Sequence, residues 1–138
     1  MKTFDVQGIE LEVGWKVAFT FIADPGKLPM WTSAFASAGD GKAVMRTPCG
    51  EVTVDLDVSA SLEFGAVDWR MTFPDRTVAS AFSRVVEIAR ERCVFTFVLP
   101  PPPVALEILE GTLEAQSRTL REELMRLKQV LESRERAS

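Results

Sequence analysis

The periodicity of the sequence predicts an α+β domain in which a curved antiparallel sheet wraps around one long C-terminal helix. Across residues 51–73 apolar and polar residues alternate, which is typical of strands with one buried face and one wet face. From about 104 to 135 apolar residues recur at intervals of three and four, which indicates a long amphipathic helix. Four prolines at 100–103 separate the two patterns, because proline has no N–H to donate to a sheet.

The length and composition favour one globular domain spanning residues 1–138. Hydrophobic residues make up 46% of the chain and charged residues 26%, which is ordinary for a soluble domain. A formal net charge of -4 provides no basic surface for nucleic acid. The N-terminus does not read as a signal peptide and no apolar run is long enough to cross a membrane, so we expect a cytoplasmic protein.

The residue types that are missing restrict the chemistry. The chain has no histidine and no tyrosine, which excludes histidine triads and histidine metal sites. Its two cysteines, Cys49 and Cys93, lie far apart and form no CxxC pair. We therefore expect no metal and no cofactor, and binding gains weight over catalysis.

The first strand is predicted over residues 4–13. Its apolar positions change phase at Gly8, which we interpret as a β-bulge. This interpretation turns both halves of the strand toward the core. The inward residues would be Phe4, Val6, Ile9, Leu11 and Val13.

Two short helices are predicted after this strand. Residues 15–23 carry apolar side chains at helical spacing, and the sequence Asp24-Pro25-Gly26 then supplies a breaker and a turn. Pro29 suits the first turn of the second helix, whose inward face would hold Leu28, Trp31 and Phe35. Residues 37–42 are interpreted as a loop or tight turn.

Strands dominate the middle of the chain. The even-numbered residues from 52 to 64 are apolar and are predicted to share one buried face. Residues 67–73 and 93–99 give two further strands, and the strand at 78–88 has an unclear phase. One face of that strand holds Phe82 and Arg84 and the other holds Glu87, so either phase would point a charged side chain inward.

The long helix carries a leucine series that extends beyond the length a small sheet needs. The part from Arg121 onward is expected to overhang the domain and to leave room for a short coiled-coil seam. A homodimer through this seam is left open, since fewer than three heptads overhang. The seam leucines are Leu120, Leu124, Leu127 and Leu131.

Three segments resemble a known superfamily over nearly the full chain: FIADPGKLPMW, TPCGEVTVDLDV and LREELMRLKQVLE. They are similar to the START-like (SRPBCC, Bet v 1-like) superfamily, and within it to polyketide cyclase/dehydrase, lipid transport and coenzyme Q-binding domains. The resemblance implies a helix-grip fold that encloses an apolar pocket. It supplies no catalytic residue that can be carried over to this sequence.

The leading functional hypothesis is binding of a small hydrophobic ligand, such as a lipid, isoprenoid, aromatic or polyketide-like compound, in an internal cavity. A first alternative is a cyclase, aromatase or dehydratase that folds a poly-carbonyl chain, with Arg84 or Glu87 polarising it. A second alternative is a protein-interaction module that uses a groove or the end of the long helix.

Aromatic and charged candidates for ligand contact come from the strands and the second helix. Trp31 and Trp69 are candidates for an aromatic wall, and core packing is the simpler account of both. Arg84 could orient a carboxylate or carbonyl of the ligand beside Phe82, unless it turns outward or pairs with a carboxylate. Phe97 on the last strand completes this group.

Two candidates lie on the long helix. Leu113 is expected to line the cavity. Gln116 and Ser117 interrupt the leucine series where the helix should cross the sheet, and a polar group there would bond a ligand head group or a trapped water. Relief of packing is the alternative explanation for both polar residues.

Overall fold

A computed structural model describes residues 3–47, 50–101 and 106–137, and for 106–110 and 137 only the backbone is considered. The elements alternate little: one strand, a helical segment, six strands and a long helix. In chain order they are β1 Asp5–Leu11, α1 Trp15–Ala23, a single 3₁₀ turn Pro25–Lys27, α2 Leu28–Trp31, β2 Phe35–Gly39, β3 Lys42–Thr47, β4 Gly50–Ser61, β5 Ala66–Thr72, β6 Val78–Ala89, β7 Arg92–Leu99 and α3 Leu106–Ala137.

All seven strands form one antiparallel sheet with the order β1-β7-β6-β5-β4-β3-β2. Strands β2 to β7 follow one another as a meander, and β1 closes the sheet by pairing with β7. The concave face of this sheet packs against α3, with α1 and α2 inserted after β1. This arrangement confirms the predicted α+β helix-grip architecture.

The alternation in β4 is confirmed over its central part. Val54 and Leu56 are buried on the concave face, whereas Asp55 and Asp57 are exposed on the outer face. The predicted face was extended too far, because β4 ends at Ser61. Beyond that residue the chain turns away from α3, and the last two predicted inward side chains, Leu62 and Phe64, are exposed.

The first strand shows no bulge at Gly8. Its pairing with β7 is continuous from Asp5 opposite Leu99 to Leu11 opposite Cys93. Because side chains alternate strictly in an unbroken strand, the buried position of Leu11 carries Asp5 and Gln7 to the concave face. The prediction for Phe4 and Val6 was therefore wrong, and both are exposed.

The helical segment agrees with the prediction except at its end. Helix α2 stops at Trp31, and Phe35 belongs to β2 instead of sharing a helical face. The segment interpreted as a loop holds most of β2 and a two-residue hairpin turn at Asp40-Gly41. Both turn residues have positive φ, 54° and 75°, which is the geometry that an Asp-Gly pair favours in tight hairpins.

The end of α3 does not overhang the sheet. The four leucines of the predicted seam are all buried within this domain, and Arg134 near the helix end lies over the ring of Phe21 on α1 at 5.2 Å. Helix α1 therefore covers the part of α3 that extends past the sheet. The leucine seam is used for intramolecular packing, which removes the basis on which a homodimer was considered.

Candidate ligand-binding site

Four aromatic rings meet on the concave side of the sheet and are referred to below as the aromatic cluster. Trp69 on β5 stacks on Phe97 of β7 with ring centroids 5.7 Å apart and planes inclined by 26°. Trp31 on α2 contacts Trp69 at 6.4 Å and meets Phe95 of β7 edge-on at 6.2 Å. Alternation along β5 and β7 turns three of these rings inward, and α2 brings the fourth over them.

Three buried polar atoms in this interior have no hydrogen-bond partner among the described residues. They are the indole Nε1 atoms of Trp31 and Trp69 and the amide Oε1 of Gln116 on α3. An unpaired buried donor or acceptor costs about 1–3 kcal/mol, so native proteins usually supply a partner. The site therefore offers two donors and one acceptor to a bound molecule or to ordered water.

A second polar group lies where β1 meets α3, and we refer to Asp5, Gln7 and Ser117 as the polar trio. Gln7 Nε2 donates to Asp5 Oδ2 at 2.6 Å, to the Ser117 carbonyl at 2.9 Å and to Ser117 Oγ at 3.2 Å. Asp5 is only 3% exposed. The trio thus holds a carboxyl group inside the apolar grip.

The concave face is closed at one end and partly open at the other. At the closed end Leu11, Cys93 and Val85 are completely or almost completely buried. At the opposite end the inward-facing Phe73 and Leu99 are only half-buried. The polar trio lies at this open end because Asp5 pairs with Leu99, so a ligand entering there would pass it.

The predicted site residues fall into two groups. Trp31, Trp69, Phe97 and Leu113 are buried, and the three aromatic ones belong to the aromatic cluster. Gln116 is half-buried with its carbonyl oxygen out of solvent. The structure brings these five residues to the side of the sheet that faces α3.

Phe82 and Arg84 lie on the other side. Phe82 is 45% exposed on the outer face, and Arg84 donates from Nε to the Phe64 carbonyl at 3.0 Å. The inward positions of β6 are occupied by Ala81, Ser83 and Val85. The expected inward placement of Arg84 is therefore corrected.

The alternative face of β6 also places no charge inside. Glu87 shares the phase of Val85 but is exposed, because it lies near the end of β6, where the pairing with β7 becomes irregular. The interior accordingly avoids both charged side chains that the sequence seemed to force upon it. The buried polar residue on this strand is Ser83, whose hydroxyl donates to the Val67 carbonyl.

Sequence reasoning missed Asp5, Gln7 and Phe95 as residues of the interior. The first two were lost because Gly8 was interpreted as a bulge, although continuing the phase of Leu11 backwards would have found them. Phe95 follows directly from the alternation through Cys93 and Phe97, since all three are buried on one face of β7. Phase continuity was the signal that could have identified all three residues.

The remaining buried titratable groups have structural surroundings. Burial raises the pKa of the Cys93 thiol to about 11, so it is neutral at physiological pH and a poor nucleophile. Burial also raises the pKa of Glu123, whose carboxylate accepts from Ser33 N at 2.6 Å and fixes the start of β2 against α3. No metal-binding group of acidic or cysteine residues occurs in the part of the chain that the structure describes.

Two solvent-open clefts lie away from this interior. The larger, about 690 Å³, separates α1 from the end of α3 and is bordered by Lys16, Asp24 and Glu135. The other, about 640 Å³, lies over β4, β5 and β6 and is bordered by Asp57 and Arg70. Their charged rims make them poorer sites for an apolar molecule than the concave interior. Among the described residues, no helix is long and apolar enough to cross a membrane.

Comparison with known proteins identifies the fold. No protein-family model matches the sequence, and no curated protein sequence matches it. The structure does match a START superfamily protein from Mycobacterium smegmatis, with a TM-score of 0.72 at 11% identity, over 94% of this chain and 97% of that chain. The chain has a START-like fold.

Two further solved structures share this START-like fold. The protein XoxI from Bacillus cereus matches with a TM-score of 0.72 at 13% identity, over 97% of this chain and 99% of that chain. The Zhui aromatase/cyclase from Streptomyces sp. R1128 matches with a TM-score of 0.70 at 12% identity, over 95% of this chain and 94% of that chain. At these identities the ligand has to be inferred from this chain's own START-like interior.

Proposed function

We propose that this START-like domain binds a small, mainly apolar molecule between the concave face of its sheet and α3. The observation that carries the proposal is the set of unpartnered buried atoms, Trp31 Nε1, Trp69 Nε1 and Gln116 Oε1. A ligand with polar groups at matching positions would remove the cost of leaving these atoms unpaired. The ligand classes that fit are lipids, isoprenoids, aromatic compounds and polyketide-like compounds.

The surroundings of these atoms support a ligand that is apolar over most of its surface. The aromatic cluster offers ring faces and edges for stacking, and Leu113 adds an aliphatic wall. Sites of this kind combine a mainly apolar lining with a few fixed polar groups that set orientation. The START-like fold of an aromatase/cyclase and of a START superfamily protein gives the same type of concave interior a precedent.

The proposal is tested with N-phenyl-1-naphthylamine, a neutral apolar probe that carries one N–H donor and fluoresces in apolar surroundings. We expect saturable binding with energy transfer from the buried tryptophans to the probe. Replacing Gln116→Leu removes the acceptor, so binding should weaken by about 2- to 10-fold, as expected for one hydrogen bond. Native mass spectrometry of gently purified protein would show a natural ligand as an adduct.

The matched control is Gln129→Leu, because Gln129 is exposed on the same helix. This variant should bind the probe as the unchanged protein does. Absence of saturable probe binding by the unchanged protein, together with adduct-free native spectra, would overturn the proposed function. Equal weakening by both substitutions would overturn the role assigned to Gln116.

A second candidate function is catalysis of aldol-type cyclisation, as the name of the Zhui aromatase/cyclase suggests for that protein. The observation that favours it is the buried Asp5 carboxyl at the open end, which could act as an acid or base. A poly-β-ketone thioester mimic incubated with the protein should then give a product distribution different from the spontaneous one. The difference should disappear in Asp5→Asn.

A further inference from the structure

We propose that the polar trio is a charge filter at the open end of the concave interior. It favours ligands whose head group is a hydroxyl, accepts protonated amines less well, and excludes carboxylates. This inference rests on the proposed ligand-binding function and adds the chemical class of the head group. No single residue of the trio makes the filter, because the position of the Asp5 carboxyl depends on Gln7 and Ser117.

The first step of the argument is what the trio can offer to a ligand. The Gln7 Nε2 group donates to Asp5 Oδ2 and to two oxygens of Ser117, so its hydrogens are already used. The groups that face a newcomer are therefore acceptor oxygens, above all those of the Asp5 carboxyl, which can accept several hydrogen bonds. A head group must bring a donor to bind here.

The second step is the donor that lies nearby. Gln7 pairs across the sheet with Phe97, and the Phe97 ring stacks on Trp69 at 5.7 Å. Trp69 is 4% exposed and its indole N–H has no partner. A hydroxyl can accept from such an N–H and donate to a carboxyl at the same time. An ammonium group can only donate and a carboxylate can only accept.

The third step concerns charge. Among the residues whose burial the structure describes, the buried polar or charged ones are Asp5, Thr32 and Ser83, so none is a lysine or arginine. A ligand carboxylate would thus enter an apolar interior beside a like charge with no buried cation to neutralise it. The interior penalises an anion twice, through desolvation and through repulsion.

The test uses three probes with the same ten-carbon chain: decan-1-ol, decylamine and decanoate. Each displaces N-phenyl-1-naphthylamine from the protein, which gives their relative affinities. We expect decan-1-ol to bind most tightly, decylamine less tightly, and decanoate at least tenfold more weakly than decan-1-ol. This order tests the filter in the unchanged protein, without any substitution.

Two variants then assign the effect to the trio. Asp5→Asn removes the charge and keeps the shape, so decanoate should bind at least tenfold more tightly while decan-1-ol changes less than threefold. The matched control is Asp57→Asn, because Asp57 is exposed on the outer face and removes the same unit of net charge. It should leave the ratio of the two affinities unchanged. Thermal unfolding of each variant verifies that it is folded, and Asp5→Ser is the second variant if Asp5→Asn is not.

The filter and the ligand-binding function fail in different ways. Decanoate binding as tightly as decan-1-ol would overturn the filter and leave ligand binding intact. An unchanged affinity ratio in a folded Asp5→Asn variant would also overturn it. Failure of the naphthylamine probe and of decan-1-ol to bind at all would instead overturn the proposed function.

Discussion

Gln7 on β1 and Ser117 on α3 are joined by two hydrogen bonds, although 110 positions separate them in sequence. Gln7 Nε2 donates to the Ser117 carbonyl at 2.9 Å and to Ser117 Oγ at 3.2 Å. The contact fastens the first strand to the long helix at the open end of the grip. The interruption of the leucine series at Ser117 therefore has a structural role that involves its own hydroxyl and carbonyl groups.

Replacing Gln7→Leu should lower the free energy of unfolding by about 1–3 kcal/mol, as expected when buried polar groups lose a partner. Asp5 Oδ2 and Ser117 both lose the Gln7 donor in this variant. Urea titration measures the change, and the exposed Gln129→Leu should alter stability by less than about 0.5 kcal/mol. Similar effects of the two changes would mean that the trio does not fasten β1 to α3.

The register of β4 can be tested with a reciprocal pair of substitutions. Val54→Asp places a charge at a position that is 1% exposed and should unfold the domain or destabilise it by more than about 3 kcal/mol. Asp57→Val changes an exposed outer-face residue and should cost little. Guanidinium titrations that gave equal losses for both variants would contradict the assignment of the two faces.

Gly65 has a backbone conformation and a close contact that no side chain tolerates. Its φ is +68°, and an added Cβ would lie 2.3 Å from the Val85 carbonyl oxygen. Gly65→Ala should therefore lose more than about 1 kcal/mol of stability by thermal or urea unfolding. Gly111→Ala is the control, because Gly111 lies in α3 with open space around it and should gain about 0.5–1 kcal/mol. A neutral Gly65→Ala would show that the β4–β5 turn can move away from β6.

The pKa of Glu123 gives a prediction for the pH dependence of stability. Burial raises this pKa above 4.5, so the folded protein holds the proton more tightly than the unfolded chain. The stabilising contribution is complete below pH 4.5 and is lost as pH rises through the raised pKa. Glu123→Gln is neutral throughout, so its stability relative to the unchanged protein should increase from pH 4.5 to pH 7.

The control for this prediction is Glu122→Gln, because Glu122 is exposed on the neighbouring position of α3. Its stability difference from the unchanged protein should stay flat over the same pH range in urea titrations. A flat difference for Glu123→Gln as well would mean that the folded state does not raise the pKa of Glu123.

Local periodicity predicted the elements well where one face of a strand or helix is buried throughout. Val54 and Leu56 on β4 and the leucines of α3 were predicted on the correct faces for this reason. Prediction failed where only pairing decides the phase. Gly8 looked like a bulge in isolation, whereas continuous pairing with β7 carries Asp5 and Gln7 inward.

The candidate site shows the same division. Trp31, Trp69, Phe97 and Gln116 could be selected because large aromatic or isolated polar residues stand out in apolar patterns. Arg84 was selected for the same reason and proved to lie outside, since β6 takes its phase from pairing with β5 and β7. The sequence of one strand does not contain the phase of its neighbours.

The sequence alone determined the order of strands and helices, the antiparallel meander and the amphipathic grip helix, because each depends on spacing between nearby residues. Tertiary structure decided three things: the inward turn of Asp5, the outward turn of Arg84 and the contact between Gln7 and Ser117. Each of these depends on partners far away in the chain. Burial of a polar residue is set by long-range pairing, which local periodicity does not record.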